Sequence, residues 1–270
     1  FLQKYSMTLR LYNSLKDQKE DFVPLHNGRV SLYVCGPTVY NDSHLGHAKT
    51  YVSFDVILRY MKYRGFKTFY VQNITDVGHL VGDADEGEDK LLKRAHELEQ
   101  EPMAVAENYT NRHFQAMDQM EVFRPDICPR ATGHIPEQLE AIEKMINVGL
   151  AYEVNGSVYF DVSQDPQYGE LSNRSFEEMQ EGARVKVREE KKNPQDFALW
   201  KKADAGHLMR WRDSFSGWGY PGWHTECAVM STRYLGDQFD IHGGGMELKF
   251  PHHDCEITQA RGLGKAFANY

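Results

Sequence analysis

The hydrophobic positions near the start of the chain predict a strand, a helix and a second strand. Residues 29–34 are mostly apolar with little alternation, which is typical of a strand buried on both faces. Apolar residues between 47 and 64 recur at helical intervals, and Gly65 follows them as a terminator. Residues 67–74 are rich in aromatic and β-branched side chains, which favour a strand. This order predicts a right-handed βαβ unit, and therefore a parallel sheet.

The pattern changes after residue 80 and predicts an insertion into the sheet domain. Helices are expected near residues 102–120 and 136–148, because each stretch opens with a proline at its first turn. The dipeptide Asn155-Gly156 lies between two short strand-like runs and predicts a type I′ hairpin. The middle of the chain should therefore consist of helices and a hairpin.

A further set of elements begins near residue 197. A helix is expected to end at Leu235, before Gly236, and a short strand should follow at residues 239–242. Pro251 is expected to open the last helix. The chain is thus predicted to be α/β with a divided sheet domain. The predicted segments are residues 1–80 and 196–270 for the two halves of that domain and residues 81–195 for the insertion.

Composition and charge then narrow the class of protein. The 270 residues carry a net charge of −8, so RNA binding would require a local basic patch, of which residues 184–188 are the clearest candidate. The four cysteines are widely spaced, which fits reduced thiols better than a disulfide scaffold. No apolar run approaches the roughly 20 residues that span a membrane. We therefore expect a cytoplasmic protein without membrane contacts.

Candidate chemistry begins where the first buried strand ends. Cys35 lies at the carboxyl end of that strand, the edge at which open α/β sheets bind ligands. His44 and His47 follow at the expected start of the helix, three residues apart and on one face. A helix N-terminus favours phosphate, because its unpaired N–H groups and dipole attract anions. The N-cap of this helix is expected among Asn41, Asp42 and Ser43.

A second group of residues is suited to zinc. His252 and Glu256 are four residues apart on one face of the last helix, and both side chains are zinc ligands in proteins. Cysteine is the softest donor in the chain, and Cys35 and Cys227 lie at the ends of elements that a sheet edge would gather. These four residues are therefore predicted to form one zinc site. On spacing alone the alternatives stay open: Cys255 in place of Glu256, or His224 beside Cys227.

Several blocks of sequence together resemble a known family. They are CGPTVYNDSHLGH beginning at Cys35, NITDV at Asn73, GWHTEC at Gly222, FDIHGGG at Phe239 and FPHHDCE at Phe250. In this order they resemble the catalytic domain of cysteinyl-tRNA synthetases over residues 11–260. The resemblance implies a class I synthetase fold, a Rossmann-like parallel sheet split by a connective insertion.

The resemblance also implies roles for individual residues. It assigns zinc to Cys35, Cys227, His252 and Glu256, and leaves Cys255 without a functional role. His44–His47 match the HIGH signature with Leu45 in place of Ile, so His44 and His47 are the expected catalytic residues. The expected ATP-binding residues are Gly46, His242, Gly243, Gly244, Gly245 and Glu247. The expected residues of the amino-acid pocket are Thr75, Trp223 and His224.

The implied reaction has two steps. Cysteine and ATP, with Mg²⁺ expected beside the phosphates, would give cysteinyl-adenylate and pyrophosphate, and the cysteinyl group would then pass to tRNA(Cys). Positioning and charge stabilisation dominate such phosphate chemistry, which suits two histidines at a helix N-terminus. One zinc ion per chain would bind the substrate thiolate and so select cysteine over serine.

Three other functions remain open at this point. A related ligase activates cysteine in the same way but passes it to an amino sugar, as in mycothiol synthesis. A nucleotidyltransferase would share the HxGH helix start but would have no use for the zinc ligands. A non-catalytic zinc-holding module is the third. The KMSKS motif, the second signature of the family, has no counterpart in these 270 residues, so we expect a weakly active fragment.

Overall fold

The chain forms the strands and helices of an α/β protein. The computed structural model describes residues 8–80, 87–174 and 190–270. Its strands are β1 (Arg10–Asn13), β2 (Gln18–Asp21), β3 (Arg29–Val34), β4 (Lys67–Gln72), β5 (Ala151–Val154), β6 (Ser157–Phe160), β7 (Phe197–Lys202), β8 (Gly219–Pro221), β9 (Gln238–Phe239), β10 (Ile241–Gly243) and β11 (Phe267–Ala268). Its helices are α1 (Leu45–Tyr63), α2 (Lys90–Leu98), α3 (Pro102–Gln119), α4 (Ile135–Asn147), α5 (Trp223–Leu235) and α6 (His252–Gly262).

The predicted βαβ unit forms the centre of the fold. Strands β3 and β4 are parallel and α1 connects them, with Leu32 opposite Tyr70. Strand β10 pairs in parallel with the other edge of β3, which gives the order β10-β3-β4. Tyr33 and Val34 of β3 are fully buried, as expected for a strand that is covered on both faces. The predicted α/β class and parallel sheet are confirmed.

The predicted hairpin belongs to a second, antiparallel sheet in the order β5-β6-β7-β8. Asn155 and Gly156 have φ angles of 53° and 85°, as a type I′ turn requires. Strand β7 pairs with β6 of this hairpin and β8 pairs with β7, so the sheet crosses the boundary predicted between residues 195 and 196. The apolar residues of β7 are all buried in this sheet. The hydrophobic pattern of the sequence predicts that a strand is buried, but it does not predict which sheet the strand joins.

Helix α2 and strand β2 are among the elements that were not predicted. Helix α2 follows an acidic stretch, and its N-cap is Asp89, which accepts hydrogen bonds from the backbone N–H groups of Leu91 and Leu92. Strand β2 has the sequence QKED and is largely exposed, so no hydrophobic alternation marks it. The predicted basic patch, residues 184–188, lies outside the described residues. In the ranges that the structure describes, no helix is both long enough and apolar enough to cross a membrane.

Candidate active site

The four predicted zinc ligands meet at the carboxyl end of β3. Cys35 follows that strand, Cys227 lies on α5, and α6 contributes His252 and Glu256. Their donor atoms all lie within 4.8 Å of one another, and all four residues are buried. Glu256 Oε1 is 3.4 Å from Cys35 Sγ and 3.1 Å from His252 Nε2. The structure therefore brings together one carboxylate, one imidazole and two thiols from three separate parts of the chain.

The chemistry of these donors fits a divalent cation. Burial raises the pKa of the Cys35 thiol well above its usual value, and the neighbouring Cys227 and Glu256 raise it further. A bound cation would reverse this effect, because it stabilises the thiolate directly. Burial lowers the pKa of His252 well below its usual value, as do the nearby His224 and His253, so its imidazole is neutral and able to ligate. Two sulfurs, one imidazole nitrogen and one carboxylate match the ligand preferences of zinc.

The two alternatives for the zinc ligands occupy other positions. Cys255 is fully buried, and its Sγ lies 3.6 Å from the hydroxyl of Tyr168 within a separate hydrophobic cluster. His224 Nδ1 lies 2.8 Å from His252 Nδ1, whereas Glu256 contacts the other ring nitrogen of His252. The contact with His224 leaves the Nε2 atom of His252 facing the other donors. Residues that hydrogen-bond to a metal ligand usually orient it in this way.

A second donor group shares Cys35 and Glu256 with the first and adds His242 and His253. His242 Nε2 lies 2.8 Å from Glu256 Oε2, so this side chain, predicted to approach adenosine, contacts the predicted zinc ligands. Gly243 and Gly244 are needed for packing, since an added Cβ would lie 2.2 Å from the ring of Phe54 and 2.6 Å from His253 Nε2, respectively. The predicted ATP contacts of these residues stay predictions.

The HLGH segment forms the N-terminus of α1, but its N-cap is His44 rather than one of the three residues predicted. His44 Nδ1 accepts a hydrogen bond from Gly46 N–H at 3.1 Å, and His47 Nδ1 accepts one from His44 N–H at 3.2 Å. Because each Nδ1 accepts a hydrogen bond, each ring carries a proton on Nε2, which leaves two N–H donors at the helix N-terminus. Burial, together with the neighbouring His44, lowers the pKa of His47.

A single cleft of about 270 Å³ joins the HLGH segment to the predicted zinc ligands. Thr75 and Trp223, the predicted residues of the amino-acid pocket, form part of its wall, and their contact with an amino acid stays a prediction. The predicted site residues that line the cleft are Cys35, His44, Gly46, His47, Thr75, Trp223, Cys227, Gly245, Glu247 and His252. The predicted site residues outside this lining are His224, His242, Gly243, Gly244 and Glu256.

The sequence reasoning missed His79 and Lys90, which also line the cleft. The His79 ring stacks on Trp223 with centroids 3.9 Å apart, and Trp223 also stacks with His252 at 4.3 Å. His79 Nδ1 lies 2.5 Å from Thr38 Oγ1, and its Nε2 lies 2.7 Å from Lys90 Nζ. No spacing rule connects these residues in the sequence, so only the fold reveals them.

Helix α3 of the predicted insertion supports the loop before HLGH. Ser43 Oγ lies 2.8 Å from His113 Nδ1, and Arg112 forms an ion pair with Asp42 at 2.6 Å. Burial lowers the pKa of His113 to about 4, with a further contribution from His47, so its ring is neutral near pH 7. Helix α3 therefore holds the two residues that immediately precede the HLGH segment.

Comparison with known families agrees with this arrangement. A family model described as the catalytic domain of class I (C) tRNA synthetases matches residues 21–270. The chain belongs to the cysteinyl family of class I tRNA synthetases. The resemblance carried by the sequence blocks is thereby confirmed.

Curated relatives of this family are similar to the chain over nearly its whole length. The cysteine–tRNA ligase of Chlorobaculum tepidum is 56% identical over 269 residues, which cover 97% of this chain and 55% of the relative. A cysteine–tRNA ligase of Thermus thermophilus is 55% identical over 264 residues, which cover 98% of this chain and 55% of the relative. The chain thus spans about half the length of these curated synthetases.

A solved structure supports the class I synthetase fold independently. Methionyl-tRNA synthetase of Mycobacterium tuberculosis, bound by methionyl-adenylate, has a TM-score of 0.56 to this chain. The match covers 89% of this chain and 57% of that protein, at 12% sequence identity. At this identity the similarity concerns the fold alone, and it agrees with the α/β fold and parallel sheet described above.

Proposed function

We propose that this chain is the part of a cysteine–tRNA ligase that activates cysteine with ATP, forming cysteinyl-adenylate and pyrophosphate. The observation that carries the proposal is one cleft that is lined both by Cys35, Cys227 and His252 of the donor group and by the HLGH helix start. The donor group suits a thiol, and the helix start suits a triphosphate. Membership of the synthetase family supports the same reaction. A cytoplasmic location is proposed with it.

The proposed resident cofactor is one zinc ion, held by Cys35, Cys227, His252 and Glu256. When bound, it would supply a coordination position for the substrate thiolate. A serine hydroxyl is a harder donor and loses its proton far less readily than a thiol, so it would be rejected at the binding step. Trp223 and Thr75 line the same cleft and are proposed to enclose the small side chain of the amino acid.

The proposed catalytic residues are His44 and His47. Their Nε2–H groups would donate hydrogen bonds to the ATP phosphates as negative charge develops on the departing pyrophosphate. The N-terminus of α1 adds the positive end of a helix dipole at the same place. Gly46, Gly245 and Glu247 line the cleft and are proposed to contact ATP, as are His242, Gly243 and Gly244, which lie outside its lining. Mg²⁺ is expected to accompany the nucleotide.

The proposed acceptor of the cysteinyl group is tRNA(Cys). The curated relatives at 55–56% identity are all named cysteine–tRNA ligases, which favours tRNA over an amino sugar as acceptor. The HLGH helix start disfavours the alternative function of a purely structural zinc module. Paired N–H donors beside an open cleft have no role in such a module.

Cysteine-dependent exchange between ATP and pyrophosphate tests the proposed activity. With zinc-loaded protein we expect exchange above background when cysteine is added, and none above background with serine at the same concentration. Equal exchange with serine and cysteine would refute the proposed selectivity, and no exchange with either would refute the activity.

A further inference from the structure

A tryptophan on the antiparallel sheet is exposed beside two arginines. The side chain of Trp218, which precedes β8, is 40% exposed. The guanidinium carbons of Arg210 and Arg212 lie 5.2 Å and 4.9 Å from the centre of its ring. We call these three residues the Arg–Trp–Arg platform. It is a partly exposed aromatic ring with two guanidinium groups over it, on a protein whose net charge is −8.

The backbone that carries the platform is held firmly. The carbonyl of Trp218 accepts hydrogen bonds from Ala203 N–H at 2.9 Å and from the hydroxyl of Ser216 at 2.8 Å. Asp213 closes the preceding loop, and its Oδ2 accepts a hydrogen bond from Trp200 Nε1 at 3.0 Å. Its Oδ1 accepts hydrogen bonds from the backbone N–H groups of Phe215, Ser216 and Gly217. The backbone that carries the exposed ring is therefore preorganised, which lowers the entropy cost of binding a ligand.

Among the described residues, no carboxylate neutralises the charge of the platform. Neither Arg210 nor Arg212 forms an ion pair within those ranges, and Arg210 donates to the Asp204 carbonyl at 3.2 Å. Arg124 provides a contrast, because it lies over a phenylalanine ring at 4.2 Å but is paired with Asp118 at 2.5 Å. The platform therefore retains guanidinium donors for an external anion.

The position of the platform connects it with the active-site cleft. Strand β8 runs from Gly219 to Pro221, and α5 begins two residues later with Trp223 in the cleft wall. Five residues separate Trp218 from Trp223, and an extended chain of that length spans no more than about 18 Å. A few unpaired nucleotides cover such a distance.

We propose that the Arg–Trp–Arg platform binds single-stranded RNA close to the 3′ end that enters the cleft. An unpaired base would stack on Trp218, and the guanidinium groups of Arg210 and Arg212 would contact adjacent phosphates. Stacking on an exposed aromatic ring beside cationic side chains is the usual way in which proteins hold single strands without reading their sequence. This inference rests on the proposed function, since it takes the acceptor to be an RNA.

The test is binding of a labelled RNA hairpin with an unpaired CCA 3′ end, compared with the same hairpin with a blunt end, by fluorescence anisotropy at low salt. Trp218→Ala should weaken binding of the tailed hairpin about ten-fold, as expected for loss of one base stack, and leave the blunt hairpin unchanged. Trp218→Phe should retain most of the affinity. Arg212→Ala should lower the slope of log affinity against log salt by about one.

Leu208→Ala is the matched control, because Leu208 is 59% exposed in the same region and lies outside the platform. This variant should bind both hairpins as the wild type does. If Trp218→Ala binds the tailed hairpin as tightly as the wild type does, the inference is wrong. That result is expected if the platform only stabilises its own loop or binds a protein. Equal loss with both hairpins, or no preference of the wild type for the tail, would overturn it too. Cysteine-dependent pyrophosphate exchange should be unchanged in Trp218→Ala, so failure of the proposed activity is detected separately.

Discussion

Zinc content is expected to fall from one ion per chain to nearly none when Cys227 is replaced by Ser. The thiolate contributes one of four converging donors, and a serine hydroxyl is a much weaker zinc ligand than a thiolate. Cys255→Ser is the matched control, since Cys255 is equally buried but contacts Tyr168 instead of the donor group. Zinc per chain can be measured by atomic emission after exhaustive dialysis.

The two cysteine variants also separate metal loss from misfolding. Both substitutions place a hydroxyl in a buried position, so both should cost some stability. The proposed zinc site predicts that Cys255→Ser keeps its metal despite that cost. Equal zinc content in the two variants would refute the assignment of Cys227 as a ligand.

Pyrophosphate exchange is expected to fall about a hundred-fold in His47→Ala, the usual cost of removing one donor that stabilises a developing charge. Binding of cysteine should be nearly unaffected, because the predicted thiol site is formed by other residues of the cleft lining. The comparison requires exchange rates together with the affinity for cysteine, measured by calorimetry on the same zinc-loaded protein.

A second substitution distinguishes catalysis from helix capping. His47 Nδ1 also accepts the N–H of His44, so alanine removes a cap as well as a donor. His47→Asn offers a side-chain oxygen to that N–H but no donor at the position of Nε2. We expect it to be as inactive as alanine but more stable to heat. Exchange restored by asparagine would show that capping, and not donation to phosphate, is the role of His47.

The sequence predicted the central unit of the fold because its signals are local. The apolar run of β3, the helical spacing of α1 and the aromatic residues of β4 each lie within one element, and chirality and chain connectivity limit how they assemble. The partner of β7 was not predictable in this way. Its buried residues suit either sheet, and hydrogen bonding to β6 is a long-range outcome.

Residue types and the family resemblance predicted which residues belong to the candidate site, but not how their side chains are arranged in space. Cys35 and Glu256 are 221 positions apart, and no spacing shows that their side chains lie at 3.4 Å. The stack of His79, Trp223 and His252 depends on side-chain orientations that arise from packing. His242 illustrates the same limit, because its contact with Glu256 follows from the position of β10 beside β3.

The most direct test of the account is X-ray absorption at the zinc edge, before and after substrate is added. The zinc-loaded protein should show two sulfur donors, at the zinc–sulfur distance of about 2.3 Å, together with nitrogen and oxygen donors. Addition of cysteine should raise the sulfur count to three, and addition of serine should leave it at two. A sulfur count that does not change with cysteine would contradict the proposal that zinc selects the substrate through its thiolate.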